Sequence, residues 1–390
     1  MGYNNLNLYM KVFIVSSLQP FGHYSQILTN ALARNPAFKV YVGAEISEAN
    51  KTLKDCGTVF SIWEKGPFFF LPLLKKINEI KPDIIHLQHE FMMYGGPLSS
   101  MTFVVFLLIL KILGYPVVVT IHAVLDLQHL NDDFIDAFHL KSSLAKPSFL
   151  KGFFSTVLWM VSRISDGIVC HTRTAVKLLT NQYHVSKKKI HVIPACIPEK
   201  KVHSQNPEKY FLYFGYITPR KGLEMIIKAF IAFHENNNKY SLRIAGGTIP
   251  GQEQYVTHIQ KQVKKYPFIK FEGEMKQEKA LDRLFQNAYA VINPAKINVG
   301  SSGPLYQARG YHSCILASNV DHLREDIQDL QNGILVDNDE WKNAFEQIVS
   351  DPALRDTLIR NTIDLAHKRS PENTALQYKK YYSTFLTNES

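Results

Sequence analysis

Short apolar runs alternate with longer helix-like segments along most of the chain, and this alternation constrains the fold more than any other feature. The runs are rich in Val and Ile without polar alternation, as in KVFIVSS (11–17), DIIHLQH (83–89) and PVVVTIHA (116–123). Strands of this kind are typical of parallel sheets that helices cover on both faces. Segments such as YSQILTNALARN (24–35) fill the gaps. The sequence therefore predicts an α/β fold with parallel sheets.

The runs fall into two series that a polar, basic connector separates. Six runs precede the connector PEKKVHSQNPEKY (198–210) and six follow it, ending with NGILVDN (332–338). Two domains are also expected because 390 residues exceed one ordinary core. We predict two doubly wound Rossmann-like domains, residues 1–200 and 207–365. A C-terminal helix at residues 372–388 is expected to pack back on the first domain.

Composition argues against several classes of protein. The four cysteines lie far apart, which disfavours a zinc or disulfide framework and indicates a reducing compartment. The polar N-terminus shows no signal-peptide pattern. The longest apolar run, MTFVVFLLILKIL (101–113), is shorter than the roughly 20 residues of a membrane span and contains a lysine, so we interpret it as a buried helix behind a sheet. A cytoplasmic protein is expected, with peripheral contact at an inner membrane face left open.

The net charge of +10 is concentrated in the middle of the chain. Residues 151–235 contain 13 Lys and Arg against 5 Asp and Glu, so they carry +8 of the total. This excess suggests an anionic partner, such as phosphates, an acidic membrane face or a nucleic acid, or else a solvated basic face. We predict no nucleic-acid partner, because the basic residues are not interleaved with stacking aromatics in a recognisable module.

One strand-to-helix turn in the second half carries two adjacent cations. In YFGYITPRKGLEMIIKAF (213–230), Arg220 and Lys221 stand between a strand and an amphipathic helix. Lysine offers a point charge and arginine a bidentate fork, so the pair is suited to a diphosphate. The alternative is a surface turn whose cations point at water.

A second such turn is made of small residues. In VGSSGPLYQARGY (299–311), the run GSSG precedes Pro304, which marks the first turn of a helix. Small residues let free backbone N–H groups approach an anion closely, and Ser301 and Ser302 can add hydroxyl donors. The alternative is a flexible loop that a serine caps. Two anion sites in one domain would reinforce each other.

Histidines and aromatic residues mark the first half. His86, His89 and Glu90 begin on a strand, which does not fit the helical zinc-protease pattern, so no metal site is predicted. His122 ends an apolar strand and is the best catalytic candidate among the histidines. The stretches KGPFFFLPLLKK (65–76) and KPSFLKGFFSTVLWMVSR (146–163) could touch a membrane or a lipid acceptor, with core packing favoured for the second.

In their order and spacing these segments resemble the retaining glycosyltransferases of family 4, whose GT-B architecture has two Rossmann-like domains facing across a cleft. The first domain matches in PFGHYSQILTNALA (20–33), KPDIIHLQHE (81–90), SDGIVCHTRTAVKLL (165–179) and KIHVIPACIPE (189–199). The second domain matches in YFGYITPRKGLEMIIKAF (213–230), LRIAGG (242–247), IKFEGEM (269–275) and CILASNVDHLREDI (314–327). The resemblance extends from Lys11 to about Asp364.

The resemblance implies sugar transfer from a nucleotide diphosphate sugar, UDP- or GDP-linked, to a hydroxyl of a glycan or lipid-linked acceptor. The anomeric configuration would be retained in a front-side mechanism that needs no protein nucleophile, metal or other cofactor. In such a mechanism the leaving phosphate oxygen takes the acceptor proton. The donor would bind the C-terminal domain.

The resemblance also assigns roles to individual residues. The predicted catalytic residues are Lys221, which neutralises the diphosphate, Arg220 beside it, and His122, near the transferred sugar. Backbone groups of residues 273–275 would hold the nucleobase, and those of residues 301–304 the phosphates. The full predicted donor-binding set is Gly215, Tyr216, Gly273, Glu274, Met275, Ser301, Ser302, Gly303, Pro304 and Gln307; the acceptor-side set is Phe21, Gly22, His23 and His89.

Three positions depart from the family pattern. Tyr216 replaces an arginine of the diphosphate clamp, for which Arg220 is the available substitute. The two family glutamates fall at Val299 and Gln307, of which only Gln307 can hydrogen-bond a ribose hydroxyl. The glycine that normally follows the helix is missing around His312. These departures keep a second hypothesis open: a non-catalytic GT-B relative that binds a nucleotide sugar or supports a partner transferase.

Overall fold

A computed structural model describes residues 9–18, 23–48, 50, 56–91, 93–137, 146–200, 207–249, 251–275, 277–297 and 300–386, without the side chains of residues 23, 133, 136 and 137. The chain divides into two compact units. Unit 1 comprises residues 1–127, 148–196 and 369–390, and unit 2 comprises residues 128–147 and 197–368. Residues 128–147, which the sequence analysis places in the first domain, are thus grouped with unit 2.

The strands occupy short segments along both units. They are β1 (Met10–Ser16), β2 (Phe38–Glu45), β3 (Thr58–Trp63), β4 (Ile84–His89), β5 (Val117–Ile121), β6 (Gly167–Cys170), β7 (Ile190–Val192), β8 (Tyr210–Phe214), β9 (Ser241–Ala245), β10 (Ile269–Gly273), β11 (Ala290–Asn293), β12 (Ile315–Ser318) and β13 (Ile334–Val336). All their pairings are parallel. The two sheets therefore have the predicted character.

The helices fill most of the connections. They are α1 (His23–Arg34), α2 (Phe70–Ile80), α3 (Pro97–Ile112), α4 (Asp132–Ala137), α5 (Pro147–Ile164), α6 (Arg173–Asn181), α7 (Leu223–His234), α8 (Glu253–Val263), α9 (Glu278–Asn287), α10 (Gly303–Gly310), α11 (Asp321–Asp326), α12 (Trp341–Ser350), α13 (Pro352–Lys368) and α14 (Pro371–Leu386). Among the helices of the described ranges, none combines the length and the hydropathy that crossing a bilayer requires.

Unit 1 is built on a seven-stranded sheet with the order β3-β2-β1-β4-β5-β6-β7. Helices α1 and α14 bury Leu28, Leu32, Tyr378 and Tyr382 against one face of it. Helices α2, α3, α5 and α6 cover the other face. Helix α14 is the C-terminal helix of the sequence analysis, and its Tyr378 hydroxyl lies 3.0 Å from that of Tyr24 on α1.

The structure corrects two expectations for unit 1. Strand β3 was not predicted, because this edge strand has only one fully buried residue, Trp63, and so lacks an apolar run. Helix α3 was predicted to be buried behind the sheet, but only one face is. Phe103, Phe106 and Leu110 are inaccessible to solvent, whereas Val105 and Leu108 are 47% and 49% exposed.

Unit 2 is built on a six-stranded sheet with the order β10-β9-β8-β11-β12-β13. Helices α7, α8, α12 and α13 pack on one face, around Phe230 and Trp341. Helices α9, α10 and α11 cover the other face. The strand order reverses between β8 and β11, so the turns that follow these two strands lie side by side. In doubly wound sheets ligands bind at this switch point.

Candidate functional site

The turn after β8 is held in shape by close backbone contacts. The Tyr213 hydroxyl donates to the carbonyl of Tyr216 at 2.6 Å, and the Ile217 N–H donates to the carbonyl of Gly247 at 3.0 Å. Gly215 and Gly246 lie so close that a Cβ on Gly246 would stand 1.7 Å from the Gly215 carbonyl oxygen. Only glycine allows this approach, because no side chain fits there. The turn is therefore rigidly placed at the end of the sheet.

The cations follow directly in a single 3-10 turn. This turn, Pro219–Lys221, ends at Gly222, whose φ of 66° is the left-handed conformation that starts α7. The carbonyl of Arg220 accepts a hydrogen bond of 2.8 Å from the N–H of Lys296. The loop after β11 is thereby tied to the cationic turn. Lys296 itself is exposed, and its side chain lies over Gly222, with Cγ 3.3 Å from where a Cβ on that glycine would stand.

The small-residue turn after β11 presents backbone rather than hydroxyl groups. Ser302 is the N-cap of α10, and Pro304 lies in the first turn of that helix. The Ser302 hydroxyl was predicted to be available as a donor to the anion. It is instead buried and accepts a 3.0 Å hydrogen bond from the Asn293 amide. Free N–H groups at the start of α10 remain suited to an anion. Ser302 thus serves the turn by fixing its shape.

The two turns meet at one cavity. A Cβ built on Gly215 would lie 3.2 Å from Pro304 Cγ, so the turns are in van der Waals reach. Between them lies a cavity of about 90 Å³. Its lining residues are Tyr216, Arg220, Lys221, Ser301, Ser302, Gly303 and Pro304. Two cations and the N-terminus of a helix thus face the same space, which suits a phosphate-bearing ligand.

Lys221 has unusual electrostatics within this cavity. Its side chain is only 5% exposed, and its ammonium has no hydrogen-bond or ion-pair partner among the described residues. Burial, helped by the charge of Arg220, lowers its pKa from 10.5 to about 7. Burying a cation without an anion is unfavourable, and an anionic ligand would reverse that cost. A pKa shift of this size is common at functional sites.

Helix α10 carries the substituted family position. Gln307 is 8% exposed, and its Oε1 is buried without a hydrogen-bond partner. Val299 lies outside the described residues. A buried ion pair that the sequence analysis missed anchors the helix: the Tyr306 hydroxyl donates to Asp326 Oδ2 at 2.7 Å, and Arg309 Nη1 lies 3.7 Å from Asp326 Oδ1. Nothing in the sequence pattern pairs Arg309 with an acid 17 residues away.

Two further positions of unit 2 bear on the predicted site. His312 holds a φ of 55° just after α10, so the left-handed conformation is kept where the resemblance expects glycine. The backbone turn at Gly273 has a φ of 72°, and its carbonyl accepts from the N–H of Gly246 at 2.8 Å. Glu274 is exposed and Met275 packs against the core cluster of α9. Neither lines the cavity.

In unit 1 a series of hydrogen-bonded side chains connects His122 to helix α14. His122 Nε2 lies 2.8 Å from Gln88 Oε1, and Gln88 Nε2 lies 3.1 Å from His86 Nε2. His86 Nδ1 in turn lies 2.6 Å from the hydroxyl of Tyr382 on α14. His86 Nε2 also lies 2.7 Å from the Thr120 hydroxyl, so hydrogen bonds connect His122 to α14 through two side chains of β4.

These histidines are neutral across the physiological range. Burial lowers the pKa of His86 to about 3 and that of His89 to about 4, and burial with neighbouring His171 lowers that of His122 well below 6.5. His89 was predicted on the acceptor side, but its ring is 2% exposed and packs on Phe103 in the core. Phe21 and Gly22 lie outside the described residues; His23 begins α1, and its side chain is not among those described.

Comparisons with known proteins agree with this architecture. The family model described as glycosyltransferase family 4 matches residues 14–201, and the one described as glycosyl transferases group 1 matches residues 198–364. A search of curated proteins gives no match.

Solved structures resemble the chain over nearly its whole length. Anabaena Alr3699/HepE in complex with UDP-glucose has a TM-score of 0.73 at 15% identity, covering 96% of this chain and 100% of its own. Sucrose-phosphate synthase from Thermosynechococcus elongatus has a TM-score of 0.72 at 16% identity, covering 97% and 99%. A glycosyltransferase from Rickettsia africae has a TM-score of 0.71 at 14% identity, covering 98% and 100%. With two consecutive family matches and this fold, the chain belongs to glycosyltransferase family 4 and has the GT-B architecture.

Proposed function

We propose that the protein transfers a sugar from a nucleotide diphosphate sugar to a hydroxyl of a glycan or lipid-linked acceptor, with retention of configuration. The observation that carries this proposal is the cavity of unit 2, where Lys221 and the start of α10 face one space. A pyrophosphate there would meet a buried cation and free backbone donors at once. The Anabaena protein of similar fold, solved with UDP and with UDP-glucose, favours a UDP-linked donor.

The proposed chemistry is electrostatic. As the bond between the anomeric carbon and the phosphate oxygen breaks, the departing diphosphate gains negative charge. Lys221, Arg220 and the N–H groups of residues 301–303 stabilise that charge in a protected site, where one well-placed donor contributes about 3–4 kcal/mol. We propose that these groups replace a metal ion as counter-charge. Tyr216 offers a hydroxyl where the family has an arginine.

The acceptor hydroxyl attacks on the face that the diphosphate leaves, so configuration is retained. Its oxygen forms the new bond to the anomeric carbon, and its proton passes to the leaving phosphate oxygen. No side chain of the protein needs to form a covalent intermediate. Gln307 is proposed to contact a ribose hydroxyl, because its buried Oε1 lacks a partner. For His122 a role beside the transferred sugar stays a prediction from the resemblance.

The second candidate is a non-catalytic relative that binds a nucleotide sugar. The observation in its favour is Gln307, an amide where the family carries a glutamate. Both candidates require the diphosphate site, and they differ only in turnover. A donor screen therefore separates them.

The experiment combines nucleotide binding with product detection. Thermal shift with UDP, GDP and ADP, alone and as sugar conjugates, should show stabilisation by one nucleotide, since a ligand of the folded state raises the melting temperature. Mass spectrometry of the same mixtures should show hydrolysis of one donor or transfer to an acceptor. Lys221→Ala should abolish both responses, whereas Lys228→Ala, an exposed lysine of α7, should not. Binding without turnover supports the second candidate, and no binding refutes both.

A further inference from the structure

The outer face of α3 is apolar along its whole length. The exposed residues of this helix and its C-cap, Leu98, Met101, Val105, Leu108, Ile112 and Leu113, range from 40% to 76% exposure. Their spacing of three and four residues places them on one stripe, opposite the buried stripe of Phe103, Phe106 and Leu110. A surface helix normally presents polar residues to water, so α3 departs from the usual pattern.

The neighbouring helices extend this stripe into a broad surface. Helix α2 contacts α3 through Phe70 and Phe106, whose rings lie 5.9 Å apart, and α5 covers the same face of the sheet. Exposed apolar residues flank α3 on both of them: Phe68 just before α2, Leu71 on α2, and Phe149 and Trp159 on α5. Ten of the 14 large exposed hydrophobic residues in the described ranges lie here. We call the surface that these ten residues form the α3 face.

The charges around the α3 face have one predominant sign. Helices α2, α3 and α5 contain five cations, Lys75, Lys76, Lys111, Lys151 and Arg163, and one acid, Glu79. Lys76 is paired with Glu79, and Lys111 is paired with Asp166, which follows α5, so a net charge of +3 remains. Arg163 lies over the ring of Trp159, 5.6 Å from its centroid. Basic residues that border an apolar surface with Trp and Phe are typical of protein segments that lie in the interface of an anionic bilayer.

We propose that the α3 face docks on the surface of an anionic lipid bilayer. With 16 residues and no spanning helix in the described part of the chain, α3 would lie along the interface and not cross it. The charges argue against a second copy of this chain as the partner that covers the α3 face. In a two-fold dimer the face would meet itself, so its cations would face cations. Against anionic headgroups the same cations are attracted.

The orientation of the helices has a consequence for the acceptor, which rests on the proposed function. Helices α2, α3 and α5 each lead into the next parallel strand, β4, β5 and β6, so they run antiparallel to the strands and their first residues lie at the carboxyl edge of the sheet. Phe68, Leu98 and Phe149 are therefore at the edge that also carries His122. Docking through the α3 face would bring this edge to the membrane surface. A lipid-linked acceptor is then the class that we expect.

Vesicle co-sedimentation of the full chain tests the docking surface. We expect binding to vesicles of phosphatidylcholine mixed with phosphatidylglycerol, weak or no binding to phosphatidylcholine alone, and release by high salt. Lys75→Gln and Lys151→Gln should each weaken binding about fivefold. The double variant Val105→Gln/Leu108→Gln should weaken it at least about tenfold.

Matched controls lie on other surfaces. Lys379→Gln on α14 and Leu330→Gln on unit 2 change exposed residues of the same types and should leave vesicle binding unchanged. Equal effects of control and test variants, or no binding to anionic vesicles, would overturn the proposal. So would a dimer in sedimentation velocity that Val105→Gln/Leu108→Gln dissociates. The thermal shift with nucleotides, measured without vesicles, should be the same in all these variants, which separates this test from that of the donor site.

Discussion

Replacing Lys221 with methionine should stabilise the ligand-free protein at low pH while removing its response to nucleotide. The ammonium is buried, 5% exposed, and has no partner among the described residues. Methionine has a similar length and no charge, so it fills the site without the cost of burying a cation. A residue that serves ligand binding at the expense of stability should behave in this way.

The size of the effect follows from the pKa of Lys221. Its fall from 10.5 in the unfolded chain to about 7 in the folded one corresponds to about 5 kcal/mol, at about 1.36 kcal/mol for each pKa unit. Between these two values the unfolded chain binds more protons, so the stability of the wild type rises with pH through this window. The destabilisation is fully present below about pH 7 and is lost as pH approaches 10.5.

Thermal unfolding of wild type and Lys221→Met at about pH 6 and about pH 9.5 measures this difference. We expect the variant to melt several degrees above the wild type at the lower pH and to lose much of that advantage at the higher pH. Lys228→Met, an exposed lysine on α7, is the control and should melt like the wild type at both. An advantage that does not depend on pH, or a variant less stable at low pH, would show that the buried Lys221 ammonium does not destabilise the fold.

Other predictions concern the shape and the acid–base behaviour of the site. Gly246→Ala should prevent the turn after β8 from forming and abolish nucleotide binding, because its Cβ would stand 1.7 Å from the Gly215 carbonyl oxygen; circular dichroism and thermal shift check it. Gln88→Leu should destabilise unit 1 by about 1–3 kcal/mol, since it removes the partner of His122 Nε2, and urea unfolding measures this. The kcat/KM for the donor should fall about tenfold per pH unit above about 7 as free Lys221 deprotonates, and Lys221→Arg should remove that dependence.

The sequence predicted the fold well where strands are buried on both sides. Twelve strands were read from apolar runs, whereas the edge strand β3 was missed because only Trp63 of its six residues is fully buried. For α3 the uniform apolarity predicted burial, since a sequence does not tell which face of an all-apolar helix meets the core. The exposed stripe of that helix appears only when its neighbours are placed.

The site was predictable in its parts but not in its geometry. Both turns of unit 2 could be read from the residue types at strand-to-helix junctions. Their approach depends on the strand order, which brings β8 and β11 together, and on contacts such as the N–H of Lys296 with the carbonyl of Arg220. The burial of Lys221 and the inward turn of the Ser302 hydroxyl are tertiary properties. The burial of His89 against Phe103 is likewise a tertiary property that the sequence does not show.

Calorimetric titration with UDP at about pH 8, in buffers with different ionisation enthalpies, tests most directly whether Lys221 receives the diphosphate. With a pKa of about 7, about one-tenth of the free protein carries the charge at that pH, and UDP is already deprotonated since its last pKa is about 6. We expect uptake of about 0.9 proton per UDP bound by the wild type and almost none by Lys221→Arg. Binding without proton uptake, or the same uptake by both proteins, would mean that Lys221 does not receive the diphosphate.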